Sequence, residues 1–167
     1  MELYLLRHGL AVEPGTHGVT QDSQRPLTRK GERKLEQIAG AMEALGLCFD
    51  LVLSSPYLRT RQTAELIADA LGARKRLKCT EALAPAGSMK ELVSQLQAAE
   101  PAPDHVLLVG HEPYLSELTS LLLSGDTSLA ITFRKGGLCQ LVTASLKHGR
   151  CASLEWLLTP KQMVRMS

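Results

Sequence analysis

At 167 residues the chain has the length of one ordinary domain, enough to bury a core without disulfide or metal staples. Apolar residues at 44% and charged residues at 22% match a globular chain and exclude a disordered or membrane-spanning one. Nineteen basic against seventeen acidic residues leave a formal net charge of only +2, which argues against nucleic-acid binding, so any anion must be met by a few placed side chains.

The first element is the apolar run Glu2-Leu3-Tyr4-Leu5-Leu6, which reads as a buried parallel strand ending in Arg7-His8-Gly9. A loop rich in Gly, Pro, Asp and Ser follows from Gly15 to Pro26. Thr28 reads as the N-cap of a helix in which Leu35, Ile38, Ala39, Met42 and Leu45 recur at helical spacing and Gly46 gives the stop. Asp50 to Leu53 is a second strand. Beyond it Ser55, as N-cap, and Pro56, at the first helical position, open a helix through Ala64, Ile67, Ala68 and Leu71 to Gly72. Arg74 to Cys79 reads as a third, shorter strand. Ser88-Met89-Lys90-Glu91 is a capping box opening a helix to about Ala99, which Pro101 and Pro103 end. His105 to Val109 is a fourth strand, closing on Gly110-His111-Glu112-Pro113, and a leucine-rich helix follows to Gly125. Leu138 to Ser145 and Ala152 to Leu158 are two more strands, joined by a turn at Lys147-His148-Gly149 and therefore antiparallel. Strands alternating with helices imply an α/β fold: a three-layer α/β/α sandwich on a mostly parallel mixed sheet, in one domain over residues 1–167.

None of Cys48, Cys79, Cys139 and Cys151 forms a C-x-x-C pair, so zinc-ribbon and redox motifs are excluded and free, mostly buried thiols are expected. The start of the chain lacks the basic and apolar regions of a leader, and no apolar run approaches the ~20 residues that cross a bilayer. The expectation is a cytoplasmic protein without a membrane anchor.

Three polar clusters stand just past strand ends: Arg7-His8-Gly9, Ser54-Ser55-Pro56-Tyr57-Leu58-Arg59 and Gly110-His111-Glu112. The carboxyl ends of parallel strands point the same way, so these clusters should meet at the sheet edge where open α/β folds bind ligands. Arginine forks match phosphate oxygens at any working pH. Arg59, in the first turn of its helix, would add the helix dipole, and the backbone after His111 should open a helix in the same way. Gly9 and Gly110 would let the main chain approach a ligand. A neutral imidazole can attack phosphorus, and a second, protonated one would add charge to the transition state. No Gly-rich phosphate loop with lysine is present.

Singly, each residue also has a structural explanation. Arg7 suits a surface, His8 and His111 suit satisfied strand ends, and Arg59 could pair with Glu65 or Asp69 on its own helix. A metal held by His8 and His111 lacks a third ligand beyond the loop residue His17, and the arginines would repel a cation, so no metal or other cofactor is expected. Joint placement at one edge is what favours phosphate chemistry.

The blocks Leu5-Leu6-Arg7-His8-Gly9, Asp22-Ser23-Gln24-Arg25-Pro26-Leu27-Thr28 with Gly31, Val52 to Thr63, and Val109-Gly110-His111-Glu112-Pro113 resemble, in order, the histidine phosphatase (phosphoglycerate mutase-like) superfamily. Within it the chain looks like the SixA-type phosphohistidine phosphatases. The resemblance implies that His8 is the nucleophile that becomes phosphohistidine. It also implies that Arg7, Arg59 and His111 form the phosphate pocket and that Arg25 reaches it from the loop. Arg25 as a loop anchor is the alternative. Gly9 and Glu112 are further candidate substrate contacts.

Two departures matter. Leu10 stands where many members carry an acid, and Glu81-Ala82-Leu83-Ala84-Pro85 carries proline where mutases and many small-molecule phosphatases carry a catalytic carboxylate, with Glu81 out of register. An alkoxide leaving group needs a positioned acid, whereas an imidazole leaves a labile P–N bond and takes its proton from solvent. The expected activity is therefore dephosphorylation of a phosphohistidine protein, such as a histidine-containing phosphotransfer domain, in phosphorelay signalling. A phosphatase for small phosphate esters, with Glu81 or Glu112 as its acid, and a non-catalytic phosphate-binding module are the alternatives.

Overall fold

The structure, a computed structural model, describes residues 1–16 and 18–166. Its centre is a six-stranded sheet of β1 (Glu2–Arg7), β2 (Leu51–Ser54), β3 (Leu77–Cys79), β4 (His105–Gly110), β5 (Leu138–Val142) and β6 (Ser153–Leu158), in the order β3-β2-β4-β1-β5-β6. The pairings β1–β4, β2–β4 and β2–β3 are parallel; β5 runs antiparallel to β1, and β6 to β5. The expected mixed, mostly parallel sheet is thus present.

Successive side chains of a strand face opposite ways, so β1 feeds two cores. Leu3 and Leu5 join Val106 and Leu108 beneath α3 (Met89–Gln97) and α4 (Tyr114–Ser124). Tyr4 and Leu6 join Leu107 and Val109 beneath α1 (Arg29–Ala44), α2 (Leu58–Ala70) and α5 (Pro160–Val164). Leu3, Leu5 and Leu6 are 0% exposed, and burying a leucine of this kind stabilises the fold by about 2 kcal/mol. Two helical layers on one sheet make the α/β/α sandwich.

Local signals act where expected at several ends. Thr28 Oγ1 accepts from the Gly31 N–H at 3.0 Å and starts α1. Gly125, at φ 99°, takes the left-handed conformation that ends α4. Elsewhere the structure departs from the expectation. The third strand shortens because Arg74–Arg76 form a 3₁₀ turn, with Arg76 Nη1 donating to the Phe49 carbonyl at 2.6 Å. Ser88 caps α3 by accepting from the Glu91 N–H at 3.2 Å, but the Glu91 carboxylate faces Gln95 rather than closing a capping box. β5 stops at Val142, where the Thr143 hydroxyl turns to donate to the Cys151 carbonyl at 2.7 Å. Helix α5, missing from the sequence reading, starts with a capping box of Thr159 and Gln162. Of the thiols only Cys139 is buried; Cys151 is half-buried, Cys48 and Cys79 are exposed, and all are free. Among the described residues no helix is long and apolar enough to cross a membrane.

Candidate active site

Strand register brings the three polar clusters together. Arg7 lies opposite Gly110 across β1 and β4, and Ser54 opposite Val109 across β2 and β4. The ladder continues one step past each strand: the His8 N–H donates to the Gly110 carbonyl and the Ser55 N–H to the Val109 carbonyl, both at 3.1 Å. His8, Ser55 and His111 therefore emerge side by side at the carboxyl edge.

Arg59, the second residue of α2, inserts its guanidinium between the two imidazoles, whose ring centroids are 5.3 Å apart. Its Nε–H donates to His8 Nε2 at 3.3 Å, and Nη2 donates to His111 Nδ1 at 3.2 Å. A guanidinium has no acceptor, so both ring nitrogens must be unprotonated. The far nitrogens then carry the protons. His8 Nδ1–H donates to the Gly9 carbonyl at 2.7 Å, and His111 Nε2–H donates to Ser55 Oγ at 2.8 Å. Each tautomer is set by its neighbour, and the His8 Nε2 lone pair faces the cationic pocket.

Ser55 thereby does not cap α2 as expected. Its hydroxyl serves His111 and accepts only a 3.3 Å bond from the Tyr57 N–H, and α2 begins two residues after Pro56. Arg59 likewise does not pair along its own helix. Glu65 and Asp69 go to Arg74, while Arg59 Nη1 donates to the Asp22 carbonyl at 2.8 Å and Nη2 to Asp22 Oδ2 at 3.0 Å.

The remaining expected residues take distinct places. Arg7 Nη1 donates to the Phe133 carbonyl at 2.7 Å, while its Nε–H is buried without a partner. Arg25 anchors the loop, Nη1 donating to the Val12 carbonyl at 2.9 Å, and its Nε pairs with Asp22 Oδ1 at 2.7 Å, the same carboxylate that binds Arg59. Gly9 acts through its backbone, its N–H bonding Thr63 Oγ1 at 3.1 Å; a Cβ there would run to 2.6 Å from Leu35, so its bare side faces the core rather than a ligand. Gly110 is similar, with Leu115 3.0 Å from where its Cβ would sit. Glu112 accepts the Ser116 N–H at 3.0 Å, which closes part of the α4 terminus that had been expected to face an anion.

Sequence reasoning passed over Asp22, Ser55, Thr63 and Tyr57. Thr63 Oγ1 also donates to the Arg59 carbonyl at 2.7 Å, tying α2 to the Gly9 loop, and the Tyr57 ring lies 5.2 Å from the Arg59 guanidinium carbon. Asp22, three residues before Arg25, carried the i,i+3 signature of an ion pair.

Burial pushes the His8 pKa down to about 3, against the Gly9 carbonyl and with help from Arg59, His111 and Arg7. His111 is pushed down to about 3 by the same desolvation and by Arg59, with Asp22 opposing. Both rings are neutral at pH 7, so the condition under which the second would add its own charge, protonation, is not met. Burial works against the Asp22 carboxylate, but Arg59 and Arg25 hold its pKa below the usual range. Glu112 moves the other way, raised by burial against the bonds to Ser116 and the charge of Arg7. Glu81 is exposed and acts on Cys79 rather than on these groups. His17 lies outside the described residues, and among those described no group of three His, Cys, Asp or Glu could hold a metal ion.

The chain is similar to known proteins along most of its length. Residues 3–85 match the family model of the histidine phosphatase superfamily, branch 1. The chain is 40% identical over 143 residues to an uncharacterized protein of Picosynechococcus, covering 84% of each. It is 26% identical over 161 residues to the phosphohistidine phosphatase SixA of Escherichia coli K12, covering 96% of this chain and 94% of that one. A solved structure of the protein histidine phosphatase SixA complexed with tungstate superposes with a TM-score of 0.81 at 26% identity, covering 96% and 98% of the two chains.

Proposed function

The chain belongs to the histidine phosphatase superfamily, and from that premise we propose that it removes phosphoryl groups from protein-borne phosphohistidine through a covalent intermediate on His8. The observation that carries this reading is the tautomer of His8. With Nδ1–H locked on the Gly9 carbonyl, Nε2 presents its lone pair to a pocket of fixed cations.

Arg7 and Arg59 are the groups that hold the phosphoryl oxygens, the unpartnered Arg7 Nε–H being a ready donor for one of them, while His111, its Nε2–H committed to Ser55, holds Arg59 in place through Nδ1. On substrate entry the Arg59 Nε–H moves from His8 Nε2 to an oxygen, freeing the lone pair. Nε2 then attacks phosphorus in line, the new P–N bond forms, and the substrate imidazole leaves with the electron pair of the old one and takes a proton from solvent. Water next attacks the phosphoryl group on His8, the P–Nε2 bond breaks, and inorganic phosphate departs with His8 neutral again. The fixed donors stabilise charge through both steps.

Phosphohistidine suits this site better than a phosphate ester because it needs no strong acid. Glu81 is exposed, with its charge acting on Cys79, and Glu112 is bonded to the α4 backbone. The mouth is open enough for a protein surface, with the Asp22 side chain 51% exposed. The partner on this reading is a phosphorylated signalling protein of a histidine phosphorelay, and the exposed free thiols Cys48 and Cys79 suit the reducing cytoplasm. The test is a quench of enzyme mixed with a ³²P-labelled phosphohistidine protein. Label on His8, and turnover exceeding that of a sugar phosphate, is the expected result. Absence of label on His8 or preference for the sugar phosphate overturns it.

A further inference from the structure

The cations outside the pocket are unevenly placed. A hollow of about 210 Å³ opens beside the His8 loop, lined by Gly9, Leu10, Lys30, Lys34 and Lys135. A larger one of about 760 Å³ lies between α1 and α5, lined by Lys30, Arg33, Lys34, Lys161 and Arg165 with Glu36. Lys30 and Lys34 line both, so the two form one continuous track from the loop after His8 across the α1–α5 face. Six of the nineteen cations and one of the seventeen carboxylates line it, which leaves thirteen cations against sixteen carboxylates for the rest of the chain. None of the six is in an ion pair among the described residues, although Arg25, Arg59 and Arg74 all are. Lys30 stands at i,i+3 to Arg33 and i,i+4 to Lys34 on one helix, spacings at which like charges repel. Folding does not account for such an arrangement; an anionic partner would relieve it.

We propose that this track is the docking surface for an acidic protein face flanking the phosphohistidine that His8 attacks, which rests on the phosphohistidine reading above. Gly9 and Leu10, the two residues after His8, line the smaller hollow, so a partner seated on the track lies beside the loop that carries the nucleophile. Nucleic acid is a poorer fit, because no aromatic residue lines either hollow to stack a base and Glu36 stands within it.

The test compares wild type with Arg33→Glu/Lys34→Glu/Lys161→Glu, and with the milder triple glutamine variant, on three substrates: the phosphohistidine amino acid, an acidic phosphohistidine protein and a basic one. All three side chains are exposed. The expected result is unchanged turnover of the amino acid, which also reports an intact fold. The kcat/KM for the acidic protein should fall at least about tenfold, within the range of electrostatic steering, and lose its salt dependence. An acidic-protein kcat/KM within twofold of wild type in both variants, or an equal loss on the acidic and basic proteins, overturns the docking surface. So does salt-sensitive binding of single-stranded DNA that the variants abolish while acidic-protein turnover persists. A wild-type enzyme that hydrolyses sugar phosphate but neither phosphohistidine form would instead sink the activity itself, and the docking proposal with it.

Discussion

Asp22 Oδ2 lies 3.0 Å from Arg59 Nη2, so a carboxylate of the loop holds the guanidinium that bridges the two imidazoles. It is an anion bound where the proposed reaction needs an anion. Phosphate must displace it or share Arg59 with it. In Asp22→Asn the amide keeps a polar contact but not the charge. Affinity for vanadate, measured by inhibition, should rise about fivefold to tenfold, the scale of one partly exposed ion pair of about 1 kcal/mol. Weaker inhibition would mean that Asp22 positions Arg59 rather than competing for it.

Replacing His8 by alanine removes the attacking nitrogen and leaves the pocket cations in place. Turnover should drop by about 10⁴-fold or more while vanadate still binds. Residual turnover above one per cent would show that another group is the nucleophile.

Ser55→Ala leaves the His111 Nε2–H without the acceptor now 2.8 Å away, in a residue only 2% exposed. An orphaned buried donor costs about 1–3 kcal/mol, to be read from denaturant midpoints. The ring also loses the contact that sets its tautomer, so kcat should fall about tenfold. Unchanged stability and kcat would remove Ser55 from the site.

The two neutral histidines set a pH dependence of stability. Their folded pKa values, pushed down to about 3, lie below the ordinary value of 6.5. Between those limits the unfolded chain binds protons that the folded one does not, so stability falls as pH drops from about 6.5 toward 3, by up to about 1.4 kcal/mol per pH unit for each ring. Above pH 7 neither ring contributes a slope. Denaturation at pH 7, 6 and 5 tests the direction, and ¹⁵N shifts of both rings should remain those of neutral imidazole at pH 5. A titration near 6.5 in the folded protein would contradict the assignment.

Gly31 lies in the first turn of α1, where an added Cβ would sit 2.2 Å from the Leu10 carbonyl oxygen. Gly31→Ala must move either the helix or the segment that follows His8-Gly9. A loss of about 1–3 kcal/mol is expected, with a fall in activity in the fraction that remains folded. Full activity at wild-type stability would show that the helix start shifts freely.

The strands, the Thr28 cap, the Gly125 stop and the meeting of Arg7, His8, Arg59 and His111 at one sheet edge are readable in the linear chain. They depend on apolar runs, local caps and the common direction of parallel strands, all short-range properties of the residues themselves. The partners of the polar groups are of another kind. Asp22 and Arg59 are 37 positions apart, Ser55 and His111 56 apart, and only the completed sheet decides that Ser55 serves a histidine instead of its own helix. Burial follows the same rule, since it depends on what packs over a residue: Cys48 and Cys79 ended exposed and both imidazoles neutral. Residue types and spacing determined where the chemistry gathers; the packed tertiary structure decided which proton sits on which nitrogen, because tautomers and pKa values are set by neighbours that the chain supplies from far away.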